Sequence, residues 1–348
     1  MDFVDQYAKA LVDELRQIGS VEHVSKAAQP IDTTAFQTSG LGKEMADAFI
    51  DQVVDESALL KAVRVWRTNR PSGEISKLDI VGYVTEKATE NMTSTETRRP
   101  TNTTLEYTNK KRRSQWDITG EVEEDNIEGN GYRQTLMNMF TKAIANDSET
   151  LAIEGDESQA GTDDYSRLVK TNDGYHVQTT AADGTHIVNA GAKRVSWKLL
   201  KKMLRTLPTK YRTPAAMSQL RWIMSSNVVL DLQEEAEERQ TGLGDMMYVG
   251  GELKPLRIPI LEVPLLPENL AVTGTDSTGT FIWLTAPQNL IWVIQRALRF
   301  HVEEVPRYDR LEVTAFMRDD FLVQTPEAVV KATNIVVDEA VARFGAAA

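Results

Sequence analysis

The segment from Thr68 to Gly120 constrains the fold of this chain more than any other feature, because it is long, polar and patterned like a β-hairpin. Thr, Glu, Arg and Asn dominate it, and apolar residues alternate with polar ones at both ends, in "EISKLDIVGYV" and in "WDITGEV". This alternation predicts strands that bury one face. Since an isolated hairpin is only marginally stable in water, we expect this hairpin to lie on another surface.

The hairpin carries a basic run, "NKKRRSQW", in its second half. Six basic residues of the segment are candidates for contacts with another subunit: Arg98, Arg99, Lys110, Lys111, Arg112 and Arg113. The first two lie near the predicted tip, and the other four are predicted on the strand that returns from it. Because side chains alternate along a strand, two of these four are expected on each face.

The N-terminal part of the chain has two predicted helices separated by an arm. Residues 2–18 and 43–59 have apolar residues at helical spacing. The stretch between them, to about Gly42, lacks periodicity and is predicted to be extended. After the turn signal Asn130-Gly131, the spacing predicts a helix of about 20 residues, or roughly 30 Å.

The C-terminal half is predicted to be mainly strands with two helices between them. Residues 155–192 are rich in loop signals, and a helix over 194–206 ends before Pro208. "RWIMSS" predicts a buried strand, and "NVVLDLQEEAEER" a helix that Ser225 or Ser226 could cap. Further strands are predicted in "LRIPILEV", "TFIWLT", "LIWVIQRALRFHVEEV" and the alternating stretch that starts at "RLEVTAFMRDD". Grouped helices and late strands indicate the α+β class.

The sequence offers no catalytic or metal-binding pattern. There is no Cys, which excludes disulfides and thiolate sites. Of the four His, only His176 and His186 lie near each other, and their spacing matches no metal motif. Nucleophile-elbow, phosphate-loop and dinucleotide motifs are absent. We therefore expect no metal, no cofactor and no enzymatic activity.

Charge and hydropathy exclude further classes. A formal net charge of −12 disfavours nonspecific nucleic-acid binding by the surface as a whole. The first residues, "MDFVDQYAKALVDELRQIG", lack the basic and apolar regions of a signal peptide. Apolar runs stay below the ~18 residues of a membrane span, so no membrane association is expected. A polar arm and an oversized hairpin without catalytic residues indicate a protein that assembles with neighbours.

The order of these elements resembles the major capsid protein of tailed bacteriophages, the Hong Kong 97-type fold, from about Gly42 to Val336. The stretches that carry the resemblance are "SETLAIEGDES", "LLKKMLRTLPTKYR", "RWIMSSNVVLDLQ", "LRIPILEVPLLPEN", "TAPQNLIWVIQRALRFHVEE" and "AFMRDDFLVQTPEAVVKATNI". The resemblance implies six segments: an N-terminal arm (1–41), a first peripheral-domain segment (42–67), an extended loop (68–119), a peripheral-domain segment with a long spine helix (120–158), an axial domain (159–295) and a peripheral-domain segment with return strands and the C-terminus (296–348).

The resemblance also implies partners and a location. Subunits would form hexamers and pentamers of an icosahedral shell that assembles as a procapsid in the host cytoplasm and becomes part of the virion. The shell would enclose double-stranded DNA without sequence specificity and join a portal. A separate scaffolding protein is expected, because only about 40 residues precede the first core helix, and a decoration or cement protein is a further candidate partner. Lys77 and Lys87 lie in the loop from which some relatives crosslink, but we expect no crosslink, since Lys is common in polar hairpins.

The basic run has three interpretations within this frame. We favour salt bridges to acidic residues of a neighbouring subunit, with Glu121, Glu123, Glu124, Asp125 and the run at 234–238 as candidate partners. A solvated face and contact with packaged DNA are the alternatives.

Three other functions stay open. An encapsulin-like nanocompartment would share the fold and load a cargo enzyme instead of DNA. An enzyme with a site assembled across subunits, and a scaffold or decoration protein of the same virion, are the remaining alternatives.

Overall fold

The computed structural model describes residues 57–79, 85, 100–119, 132–237, 248–249, 252–274 and 277–337. The helix predicted over 2–18, the arm, most of the helix predicted over 43–59, and Arg98 and Arg99 lie outside these residues. The chain divides into two compact units. The described parts of 113–142 and 297–317 belong to the smaller unit, and those of 54–112, 143–296 and 318–348 belong to the larger unit.

Strands make up most of the regular structure in the described residues. They are β1 (Arg64–Arg67), β2 (Ser72–Asp79), β3 (Thr101–Thr108), β4 (Lys110–Thr119), β5 (His186–Lys193), β6 (Arg221–Met224), β7 (Tyr248–Val249), β8 (Glu252–Leu253), β9 (Ile260–Glu262), β10 (Leu270–Ala271), β11 (Thr278–Thr285), β12 (Leu290–Val305), β13 (Arg310–Val323) and β14 (Val330–Val336). The α-helices are α1 (Tyr132–Glu154), α2 (Asp164–Val169), α3 (Tyr175–Gln178), α4 (Trp197–Thr206), α5 (Pro214–Gln219) and α6 (Ser226–Glu237).

These strands form two large sheets and two small ribbons. One sheet has four strands in the order β1-β12-β13-β4, with β1 parallel to β12. The other has the order β5-β14-β11-β6-β9, and β10 pairs with β11 beside it. In the second sheet β5 runs parallel to β14, and β11 runs antiparallel to both β14 and β6. The ribbons are the antiparallel pairs β2-β3 and β7-β8.

A buried core joins the second sheet to helices α4 and α6. Leu200 and Met203 of α4, Leu232 of α6 and Trp222 of β6 are fully buried in one cluster. The Trp222 indole N–H donates to the Pro255 carbonyl at 3.1 Å, which satisfies its one polar atom. Helix α4 begins where the Ser196 hydroxyl accepts the Leu199 N–H at 3.3 Å, a side-chain cap. The core therefore fixes both helices by their apolar sides and leaves their polar sides outward.

The base of the hairpin packs on the chain's own core. Strands β2 and β3 pair with each other. Ile75 of β2 and Tyr107 of β3 pack in one cluster with Ile291, Val293 and Leu322 of the four-stranded sheet. Gly73 allows this packing, because a Cβ there would lie 2.6 Å from the Tyr107 hydroxyl oxygen. The predicted need for a supporting surface is therefore met at this end by the same subunit.

Several sequence predictions match the structure closely. The α+β class is confirmed, and the predicted strand "LIWVIQRALRFHVEEV" is observed as β12 over its full length. The long helix predicted after Asn130-Gly131 is α1, and the helix predicted over 194–206 is α4. The strand predicted in "RWIMSS" is β6, and the helix that follows begins at Ser226.

Two predictions are wrong. The strand that returns along β2 is β3, whereas β4, with the basic run, belongs to the four-stranded sheet. The region predicted to be rich in loops up to residue 192 contains β5, whose polar sequence "HIVNAGAK" gives no clear alternation; this strand pairs with β14. In both cases strand pairing over a long sequence separation decided the outcome, and local pattern does not encode that pairing.

The burial of one side of α6 predicts how truncation of its side chains changes stability. Replacing Leu232 with Ala should reduce the free energy of unfolding by about 2–5 kcal/mol, because the side chain is fully buried and its removal leaves a cavity. Replacing Leu230 with Ala, two residues away and 59% exposed, should change it by less than about 0.5 kcal/mol. Urea unfolding of the unassembled subunit, followed by circular dichroism, measures both. Equal effects would contradict the orientation of α6.

Candidate interface site at the basic run

The basic run starts at a sharp junction between the hairpin and the four-stranded sheet. Asn109 is buried between β3 and β4. Its N–H donates to the Pro71 carbonyl at 2.8 Å, and its side-chain amide donates to the Arg70 carbonyl at 3.2 Å. These bonds hold the chain to the start of β2 while it changes sheets. The basic run therefore begins at the root of the hairpin, not along its return strand.

The predicted alternation of the run is confirmed. Lys110 and Arg112 are half-buried, whereas Lys111 and Arg113 are exposed. The pattern continues along β4 to the buried Trp116, whose ring stacks on that of Phe140 at 4.2 Å between centroids. One side of β4 thus faces protein along its length, and two of the four cations are on that side.

Arg112 forms the most buried ion pair among the described residues. Its Nε donates to Asp319 Oδ1 at 2.8 Å, and its Nη2 donates to the other oxygen, Oδ2. The Asp319 side chain is 0% exposed and that of Arg112 is 11% exposed. Its Nη1 and Nη2 also donate to the Ser148 hydroxyl on α1, at 3.3 and 3.2 Å. A two-pronged pair of this kind is among the stronger polar contacts in proteins.

The Asp319 side of the pair is also fully engaged. Its Oδ2 accepts the Trp292 indole N–H at 3.1 Å, and its backbone carbonyl accepts the Asn172 amide at 2.9 Å. Asn172 is held by a close approach of two glycines, since Gly174 N–H donates to the Gly155 carbonyl at 2.8 Å. A Cβ on Gly155 would lie 2.2 Å from the Asn172 carbonyl oxygen. The pair thus connects β4, β13, β12, α1 and the loop after α1.

Lys110, Glu157 and Asp320, the acidic residue after Asp319, form a second group of charges that is more exposed to solvent. Lys110 forms a short ion pair with Glu157, and Asp320 Oδ2 accepts the Thr108 N–H at 2.8 Å. Burial raises the pKa of Asp320 to about 6, with a smaller contribution from the Asp319 charge, while bonds from the Thr108 and Phe321 N–H groups and the Lys110 charge oppose the rise. These residues line a cavity of about 330 Å³ together with Glu106 and Asp173. The group ties the root of the hairpin to β13.

Within the subunit, the carboxylate partners of Lys110 and Arg112 belong to the same chain. Salt bridges to a neighbouring subunit stay a prediction for the basic run, and Lys111 and Arg113 are its exposed members. Arg98, Arg99 and the candidate partners at 121–125 lie outside the described residues. Sequence reasoning missed Asp319, because nothing in "FMRDDFLV" distinguishes the buried acid from its neighbour.

The described residues contain no group of three acidic or His residues that could hold a metal ion. His176 is half-buried with its ring 4.4 Å from that of Phe281, and desolvation lowers its pKa to about 3. The neighbouring Lys331, whose pKa burial lowers to about 8, donates to the His176 carbonyl at 2.9 Å. The helices of this part of the chain include none that is long and apolar enough to cross a membrane.

Comparison with known proteins identifies the class. The phage capsid family model matches residues 40–334, so the chain belongs to the phage capsid family. It is 26% identical over 319 residues to YqbE of Bacillus subtilis strain 168, a protein named as a prophage capsid protein. The match covers 90% of this chain and 98% of YqbE. The chain is thus a major capsid protein that forms a phage head shell, as the sequence resemblance implied.

Solved capsid structures share the fold. A chain of the capsid of a native GTA particle is 13% identical, with a TM-score of 0.58 over 81% of this chain and 91% of that one. A chain of a satellite phage P4 procapsid that includes the size determination protein Sid is 14% identical, with a TM-score of 0.57 over 84% and 99%. The SrpI encapsulin of Synechococcus elongatus PCC 7942 is 10% identical, with a TM-score of 0.53 over 82% and 90%. At these identities the likeness extends to the fold alone.

The Arg112–Asp319 pair gives the first prediction from this site. Replacing Arg112 with Met should cost about 3–5 kcal/mol of unfolding free energy, because it leaves a buried carboxylate without its counter-ion. Replacing the exposed Arg113 with Met is the matched control and should change stability by less than about 0.5 kcal/mol. Urea unfolding of the unassembled subunits compares the two. If the two variants are equally stable, the pair does not anchor β4.

Asp320 gives a prediction on pH. An unfolded Asp titrates near pKa 3.9, whereas the folded group titrates at about 6. The folded state therefore holds more protons between these values, and its stability falls as pH rises from 4 to 7. Replacing Asp320 with Asn should reduce that fall by on the order of 1–2 kcal/mol. Urea unfolding of the wild type and the variant at pH 4 and pH 7 measures this, and an unchanged dependence in the Asp320 variant would contradict the assignment.

Proposed function

We propose that this capsid protein assembles as hexamers and pentamers into the icosahedral head of a tailed phage and encloses packaged double-stranded DNA. The observation that carries the proposal is the family match across residues 40–334. In the proposed domain scheme, α1 is the spine helix of a peripheral domain with the four-stranded sheet. The six-stranded sheet with α4 and α6 is the axial domain. The extended loop is 68–109, shorter than the sequence implied, since β4 pairs elsewhere.

The exposure of the hairpin supports assembly through it. One face of β2 is tied to its own chain, because Lys77 donates to the Thr325 hydroxyl at 2.7 Å and Asp79 pairs with Lys210 at 2.7 Å. The opposite face carries Leu78, which is 72% exposed. Burying that side chain and its neighbours under an adjacent subunit would recover free energy that a monomer leaves unused. In the proposed shell, this face is covered by the neighbour.

The further partners belong to the same proposal. A separate scaffolding protein would guide procapsid formation in the host cytoplasm, a portal would occupy one vertex, and a decoration protein could bind the mature virion. We propose that no covalent crosslink forms, and the Lys77 hydrogen bond within its own chain supports this. Lys87 lies outside the described residues. An encapsulin-like compartment is the second candidate, and the SrpI fold match is what favours it.

Expression of the protein alone tests the proposal. We expect negative-stain electron microscopy and light scattering to detect closed shells tens of nanometres wide, or free hexamers and pentamers, because the exposed hairpin face needs a neighbour. Mass spectrometry of the shell contents is the control: a stoichiometric host or co-expressed enzyme would favour the nanocompartment. A subunit that stays monomeric or dimeric at high concentration would contradict assembly altogether.

A further inference from the structure

A long segment of this acidic chain is purely basic in its charged residues. Between residues 185 and 230 there is no Asp or Glu, although the chain as a whole carries a net charge of −12. Nine cationic residues lie in this segment: Lys193, Arg194, Lys198, Lys201, Lys202, Arg205, Lys210, Arg212 and Arg221. Where such positive charges lie together on the surface, they attract an acidic partner.

The structure concentrates four of these cations on one side of α4. The helix buries Leu199, Leu200 and Met203 against the six-stranded sheet. Its exposed side, which we call the α4 basic face, consists of Lys198, Lys201, Lys202 and Arg205. Residues three and four apart on a helix are neighbours, so these charges form one continuous patch.

The α4 basic face has no acidic partner among the described residues. Other cations of the segment are paired there, Arg194 with Glu234 at 3.3 Å and Lys210 with Asp79 at 2.7 Å. None of the four side chains of the α4 basic face forms an ion pair with a described residue, and Lys201 lies over the Trp197 ring at 5.7 Å. Like charges so close together repel one another, and that repulsion is relieved when a partner of opposite charge binds.

The same unit also carries an acidic surface that is under-neutralised. It consists of Asp231, Glu234 and Glu237, three residues apart on α6, and of Glu268, whose charge acts on Asp231. Burial raises the pKa of Asp231, and the Glu234 and Glu268 carboxylates add to the rise, whereas Arg194 opposes it. None of the α6 residues Ser226–Glu237 is basic, so this part of the helix offers the carboxylates no cation. We call these four residues the α6 acidic face.

We propose that the α4 basic face of one subunit docks on the α6 acidic face of the next subunit around a capsomer. Both faces belong to every copy, so the contact is head-to-tail and repeats around a closed ring. Its charges would select the orientation and partner of each incoming subunit more than they would add affinity. The inference rests on the proposed function, because it needs rings of identical subunits.

Packaged DNA is the competing partner for the α4 basic face. A duplex approaching the subunit would meet the repulsion of a chain with net charge −12 and, near α4, the carboxylates of α6. In a ring of copies, the neighbour on one side brings an acidic face to α4 and the neighbour on the other side brings a basic face to α6, so both faces are matched. The observations therefore favour a second copy, and DNA binding becomes an outcome of the test.

The test reverses charge on each face separately and then on both. Lys201→Glu with Lys202→Glu should raise the subunit concentration needed for assembly, measured by light scattering, at least about tenfold, since like charges would face each other. Adding Glu234→Lys and Glu237→Lys in the same chain should restore assembly close to the wild-type concentration. Thermal melting of the unassembled subunits by circular dichroism shows that each variant is folded.

A matched variant separates the contact from net charge. Glu303→Lys with Glu304→Lys, at exposed positions of the other unit, restores the net charge of the Lys201/Lys202 variant at a different place. We expect no rescue by this pair. Rescue equal to that of the α6 pair would overturn the inference, and so would a Lys201/Lys202 variant that assembles like the wild type.

Two further outcomes are distinguishable. If the Lys201/Lys202 variant assembles normally but its shells retain less duplex DNA than wild-type shells after nuclease treatment, the α4 basic face binds nucleic acid and the inference fails. If the wild type itself forms neither shells nor capsomers, the proposed function fails, and the inference fails with it.

Discussion

The buried pair of Arg112 and Asp319 is the contact on which the described architecture depends. It crosses from β4 to β13, reaches Ser148 on α1 and Trp292 on β12, and lies at the root of the hairpin. A buried charge pair contributes little net stability compared with an apolar core, but it is costly to break. We infer that its effect is one of specificity, because it fixes β4 beside β13 and hence the place where the hairpin leaves the sheet. In the proposed shell, every subunit would present the hairpin at that place.

Local sequence patterns are sufficient to predict the strands and helices in which buried residues recur at regular spacing. The full length of β12 is predictable, because its apolar start is followed by alternation of apolar and polar residues. Helix α4 is predictable because its apolar residues keep helical spacing up to Pro208. Strand pairing was not predictable in the same way. β3 and β4 are separated by Asn109 alone, and the bonds that send them to different sheets come from Arg70, Pro71 and residues near 320. Those partners are remote in sequence, so the pattern around Asn109 does not contain the information.

The candidate site shows the same limit more sharply. The sequence placed cations of the run on two faces of a strand, and the structure agrees, but it could not show that the inner face meets Asp319, 207 residues away. In the sequence "KKRR", a cation that is exposed to solvent cannot be distinguished from one that is buried in an ion pair. The α4 basic face had a visible signal, the absence of any acid between 185 and 230. Only the structure shows which of those cations are already paired within the subunit, and that difference separates an anchor from a surface for a partner.

Arg112 of the basic run is paired within the subunit, whereas other charges of the same chain are proposed to face its neighbours. A cryo-electron microscopy reconstruction of the assembled shell, at a resolution that shows side chains, would locate both sets of charges. We expect Arg112 to contact Asp319 of its own subunit and Lys201 or Lys202 to lie within ~4 Å of an α6 carboxylate of the adjacent subunit, the usual ion-pair distance. This expectation would be contradicted by Arg112 reaching into a neighbour, or by an α4 basic face that points to the shell interior with no subunit against it.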